Sequence, residues 1–135
     1  MSDQEPGLLS LEWIQGGFAV CRLGADEAVP DWAVASGPPG LVSVTRTERE
    51  LSIVADEDRV PAATRAERGW VALRVGGTLD FGLVGVLSRL TGALAAAGVS
   101  VFVVSTYDTD ILLVKASDSR RAIEALGAVA DCSRL

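Results

Sequence analysis

Ala96-Ala97-Gly98-Val99-Ser100-Val101-Phe102-Val103-Val104-Ser105-Thr106-Tyr107-Asp108-Thr109-Asp110-Ile111-Leu112-Leu113-Val114 decides how this chain folds. Gly98 stands where a left-handed cap would end a helix. The run 99–104 is almost wholly apolar and rich in β-branched residues. It reads as a strand buried on both faces, or lying centrally in a sheet under helices. The polar block 105–110 interrupts it and Ile111-Leu112-Leu113-Val114 resumes it, so the two strands are expected to pair antiparallel.

Upstream, residues 85–97 carry Val86, Leu87, Leu90, Leu94 and Ala97 at spacings of three and four, which predicts a helix with one apolar face. Before it, Trp70-Val71-Ala72-Leu73-Arg74-Val75 reads as a strand ended by Gly76-Gly77. Downstream, Asp118 offers an N-cap, and Ala122, Ile123, Leu126 and Val129 fall on one helical face. The second half therefore runs strand, helix, strand, strand, helix. This is the order of a ferredoxin-like split βαβ unit whose final strand is missing or is supplied from elsewhere.

The first half carries a reduced version of the same rhythm. Leu8-Leu9-Ser10-Leu11-Glu12-Trp13-Ile14, the pair Gly16-Gly17 and Phe18-Ala19-Val20-Cys21-Arg22-Leu23 predict a hairpin. Pro30-Asp31-Trp32-Ala33-Val34 is too short for a full helix, and the breaker cluster Ser36-Gly37-Pro38-Pro39-Gly40 follows it. Leu41-Val42-Ser43-Val44-Thr45 and Leu51-Ser52-Ile53-Val54 form a second hairpin candidate. The charged segment 56–68, with Pro61, reads as a surface turn and linker.

Composition narrows the function. The chain has 135 residues, 49% hydrophobic and 22% charged, with a formal net charge of −6. Such an acidic chain is repelled by phosphates, so neither nucleic acid nor an anionic membrane is an expected partner. With no histidine and two distant cysteines, Cys21 and Cys132, the commonest general base, the Ser-His-Asp triad and most zinc sites are excluded. The cysteines read as reduced thiols. The acidic N-terminus lacks signal-peptide character and no apolar run approaches a membrane span, so a cytoplasmic location is expected. Trp13, Trp32 and Trp70 read as core or interface anchors, with Trp32 the most exposed.

Two segments attract chemical interest. Gly76-Gly77-Thr78-Leu79-Asp80-Phe81-Gly82-Leu83-Val84-Gly85 joins a strand to a helix; its glycines admit close backbone approach, and the helix N-terminus suits a carboxylate. The spacing is not that of a dinucleotide fingerprint, and tight packing alone would account for the glycines. Ser105-Thr106-Tyr107-Asp108-Thr109-Asp110 crowds hydroxyls, a phenol and two carboxylates into one connection. Asp108 and Asp110 suit a ligand's cationic group, although Asp and Thr also build ordinary turns through their own backbone. An acid/base pair lacks the apolar pocket that would split the two pKa values, and two carboxylates are too few for a calcium loop.

With these segments identified, the chain resembles a known family. Residues 41–47 and 50–54 resemble the first module of small prokaryotic double-ACT proteins. Residues 79–85, 96–102 and 105–114 resemble the second. The pattern is similar to the ACT modules of the CASTOR arginine sensors and of aspartate kinases. The resemblance implies an α+β fold of two ferredoxin-like βαββαβ modules packed side by side, 1–66 with reduced helices and 67–135. It implies a non-catalytic regulatory sensor binding a small molecule, an amino acid by expectation, at the seam between the modules. The implied ligand shell comprises Ser52, Ile53, Gly82, Leu83, Val84, Gly85, Thr106, Tyr107, Asp108, Thr109 and Asp110. Backbone groups of Ser52, Ile53 and Val84 would hold the α-carboxylate or ammonium, and Asp110 a cationic group. At Leu83 this chain is apolar where the arginine sensors are acidic, so arginine is one candidate among several. No cofactor, metal or catalytic residue is implied. A homodimer through sheet edges or helices, or a partner-binding module without a ligand, is the alternative expectation.

Overall fold

A computed structural model of the chain describes residues 9–34, 40–76 and 85–135. The elements are strands β1 (Ser10–Leu23), β2 (Ser43–Arg46), β3 (Leu51–Asp56) and β4 (Ala66–Gly76), helix α1 (Val86–Ala96), strands β5 (Val101–Ser105) and β6 (Asp110–Lys115), and helix α2 (Ser119–Leu126). Two compact units emerge: Ile14–Val71, and Ala72–Leu135 with residues 9–13.

The expected hairpin at Gly16-Gly17 is not formed. β1 runs unbroken through 14 residues, and Gly16 takes a φ of +111° inside the strand instead of reversing the chain. Glycine tolerates this φ within a strand, and one strand runs where two were expected. The linker expected up to Arg68 also gives way to strand, because β4 begins at Ala66. The unit boundaries at 13/14 and 71/72 fall within β1 and β4.

In the unit Ile14–Val71 the strand order is β2-β3-β1-β4. β3 pairs antiparallel with β2 from Ser43↔Val54 to Arg46↔Leu51 and with β1 from Phe18↔Asp56 to Leu23↔Leu51. The start of β4 is joined by the Arg22 N–H, which donates to the Arg65 carbonyl at 3.0 Å. Short 3₁₀ turns at Asp31–Ala33 and Glu57–Arg59 stand where a full module would have helices. Ala19, Cys21, Ala33, Leu51, Ile53, Ala55 and Val60 form the core, with Trp32 packed partly against it.

In the other unit the order is β1-β4-β6-β5. The final strand absent from the second half of the sequence is supplied by the start of β1. There the Leu11 N–H donates to the Asp131 carbonyl at 3.0 Å and the Asp131 N–H to the Leu9 carbonyl at 2.7 Å. β5 and β6 pair antiparallel from Val101↔Val114 to Ser105↔Asp110, as the sequence predicts. Their roles are reversed, however. Val101 to Val104 sit half-buried on the outer strand, whereas Ile111, Leu112, Leu113 and Val114 are all buried. An uninterrupted apolar run marks strand but does not say which of two such runs is central.

The helices follow their pattern. Val86, Leu90 and Leu94 of α1 and Ala122 and Leu126 of α2 are buried, and Gly98 has a φ of +73°. Asp118 precedes α2 without a side-chain cap bond; its Oδ1 accepts from Arg121 Nη2 at 2.9 Å instead.

Candidate ligand-binding groove

The second unit brings the turn after β5 against the start of α1. The turn is closed by its own side chains. The Thr106 N–H donates to the Thr109 carbonyl at 2.8 Å. The Thr106 hydroxyl donates to the same carbonyl at 3.0 Å and accepts from the Thr109 N–H at 3.2 Å. The Thr109 hydroxyl turns away and donates to the Val75 carbonyl of β4. Ser105 Oγ donates to Asp110 Oδ1 at 2.7 Å across the last rung of the β5–β6 pair. These bonds leave Asp108 exposed, Asp110 half-buried and Tyr107 fully exposed.

Gly85 enters α1 at a φ of +94° with no side-chain cap. The Arg89 N–H is bonded to the Gly85 carbonyl at 2.9 Å. The N–H groups of Val86, Leu87 and Ser88 precede that first turn and have no helical acceptor, so this end of α1 favours negative charge.

Between the two lies a cavity of about 290 Å³ lined by Val75, Gly85, Val86, Leu87 and the residues Thr106, Tyr107, Asp108, Thr109 and Asp110. Its described lining joins the first residues of α1, two aspartates and apolar Val75, Val86 and Leu87. None of the described lining residues is basic or a thiol. Among the described residues no group of three or more acidic or cysteine side chains could hold a metal ion. No described helix is long and apolar enough to cross a membrane.

Six of the expected shell residues meet in this groove: Gly85 and Thr106 to Asp110. Gly82, Leu83 and Val84 lie outside the described residues. Ser52 and Ile53 are not part of it. They sit in β3 of the other unit, where the strand is paired on both sides. An antiparallel ladder on each side takes the backbone groups that were expected to hold a ligand's termini. The Ile53 side chain is wholly buried in that unit's core. Val75, Val86 and Leu87 were missed as lining residues. Their signal is positional: one ends the strand before the glycine-rich loop and two begin the helix after it.

A solved structure of the Agobacterium tumefaciens protein Atu0741 is 35% identical, with a TM-score of 0.84 over 93% of this chain and 91% of that one. Residues 65–128 match the family model described as ACT domain. This segment belongs to the ACT-domain family. Within this ACT protein, residues 16–63 match a separate model described as an N-terminal domain. The Bos taurus cytosolic arginine sensor for mTORC1 subunit 1 is 31% identical over 110 residues, 72% of this chain. This ACT protein spans about a third of that relative's length, 33%. The regulatory subunit of aspartate kinase from Thermus thermophilus shares the fold at 12% identity, with a TM-score of 0.62 over 88% of this chain and 96% of that one.

Proposed function

We propose that this ACT-domain protein is a non-catalytic regulatory sensor that binds a free amino acid in the groove between the start of α1 and the turn 106–109. One observation carries the reading: the first residues of α1 and the acidic residues Asp108 and Asp110 line the same cavity of about 290 Å³. A zwitterion matches both sides at once, its carboxylate on the helix N-terminus and its ammonium on an aspartate. Val75, Val86 and Leu87 offer its side chain an apolar wall. The relative named as an arginine sensor and the aspartate kinase regulatory subunit support a regulatory role. Among the described lining residues no histidine, cysteine or lysine accompanies the two aspartates as a catalytic network would require.

The test is a thermal melt against each of the twenty L-amino acids, with the D-enantiomer of any that acts. A ligand at a hundredfold excess over its Kd adds about 2.7 kcal/mol, or roughly 10 °C in Tm for a chain of this size. Asp110→Asn is expected to weaken binding about tenfold or more, and the more exposed Asp108 by less. Absence of any shift on folded protein, or an Asp110→Asn variant that binds as tightly as the parent, refutes the reading.

A further inference from the structure

We infer that Thr109 is a positioning residue rather than a ligand contact: its hydroxyl latches the turn 106–109 to β4 and so sets the width of the groove. The inference rests on the groove being the binding site.

The two threonine hydroxyls of the turn have different tasks. The Thr106 hydroxyl bonds only within the turn, to the N–H and carbonyl of Thr109, and so fixes its internal shape. Thr109 reaches outside, to the carbonyl of Val75, 34 positions earlier in the chain. Val75 itself lines the cavity and lies one residue before the end of β4. β6 begins only at Asp110, so the regular β4–β6 ladder has no strand residue at 109. The hydroxyl supplies one more contact beyond that strand end. A hydroxyl has a single proton to donate. The other acceptor near it, the carbonyl of Asp110, is at 3.4 Å, and Val75 is the better placed. The group that the residue pattern offers to a ligand is therefore already engaged.

The consequence is geometric. Thr106, Tyr107 and Asp108 are exposed, whereas Thr109 is half-buried. Without the latch the turn keeps its shape through Thr106 but is free to swing on the ends of β5 and β6. Asp108 and Asp110 would then lose their fixed distance from the start of α1. A zwitterion bridging the two sides would feel this directly, since its ends are a fixed span apart.

The experiment is calorimetric titration with the L-amino acid that most raises the parent's Tm. Parent, Thr109→Val, Thr109→Ser and Thr47→Val are compared. Valine keeps the shape without the donor, and serine restores the donor. Thr47 is a matched control: its hydroxyl accepts from Arg49 and Glu50 N–H groups in the turn between β2 and β3, and it is not among the described lining residues. Thr109→Val should bind roughly three- to tenfold more weakly, the effect of one lost hydrogen bond. Thr109→Ser should stay within about twofold of the parent and Thr47→Val should be unchanged. Amide exchange without ligand should quicken at Tyr107 and Asp108 in Thr109→Val alone. Equal affinity of Thr109→Val and parent overturns the latch, as does equal loss in the valine and serine variants. A parent that binds none of the twenty fails the groove reading; the exchange data on unliganded protein still decide whether the latch holds the turn.

Discussion

Gly85→Ala isolates the backbone at the entrance to α1. An alanine Cβ there would meet no heavy atom of the described residues within 4 Å, so they contribute no steric clash. What remains is the φ of +94°. A side chain in that region costs about 1–2 kcal/mol, while alanine stiffens the unfolded chain and returns about 0.4–1 kcal/mol. The net loss is about 1 kcal/mol. With an m-value of about 2 kcal/mol/M, the urea midpoint should fall by roughly 0.5 M with no change in slope. The assay is equilibrium unfolding in urea without ligand, followed by tryptophan fluorescence. A variant as stable as the parent would show that the chain does not need positive φ at this point, and the account of the helix entrance would fail. A loss above about 3 kcal/mol would mean that the space around Gly85 is filled.

Further outcomes follow from burial and charge. Gly40→Ala should cost more than Gly85→Ala in the same urea assay, because its Cβ would stand 2.6 Å from the Gln15 carbonyl oxygen and 3.0 Å from the Ile14 side chain. Leu94→Ala removes a fully buried side chain from α1 and should destabilise by about 2–5 kcal/mol, read as a lowered midpoint. Glu12→Ala breaks exposed ion pairs to Arg134 at 3.2 Å and Arg74 at 3.7 Å and should cost under about 1 kcal/mol, falling towards zero in high salt. Burial pushes the Cys21 thiol up, against a smaller opposing pull from Arg68. Its contribution is thus complete below the unfolded thiol pKa of about 8.5 and is lost as pH rises further, where only the unfolded chain ionises freely. Cys21→Ala should flatten that alkaline decline in the urea midpoint.

Much of the second unit is legible locally. The spacing of Val86, Leu90 and Leu94 predicts α1, and the polar block between two apolar runs predicts the β5–β6 pair. The acidic and hydroxyl residues of 105–110 mark one wall of the groove before any coordinate is known. The opposite wall is legible only as a glycine-rich entry to a helix. Ser52 and Ile53 carry no such local signal, since a resemblance between modules transfers positions but not the state of their backbone hydrogen bonds.

Element type, the reduced helices of the first half and the acidic, histidine-free chemistry follow from the sequence by itself. Side-chain periodicity and composition are local properties, and they report on the nearest turn of helix or the two faces of a strand. Tertiary structure alone decided that β1 passes straight through Gly16-Gly17 and that residues 9–11 complete the second unit beside Asp131. It alone made β6 the covered strand and β5 the outer one, and it alone tied Thr109 to Val75. Each of these is a hydrogen bond or a burial between residues far apart in the chain. No local pattern encodes such a partner, because any strand edge offers the same donors and acceptors until packing selects which one it meets.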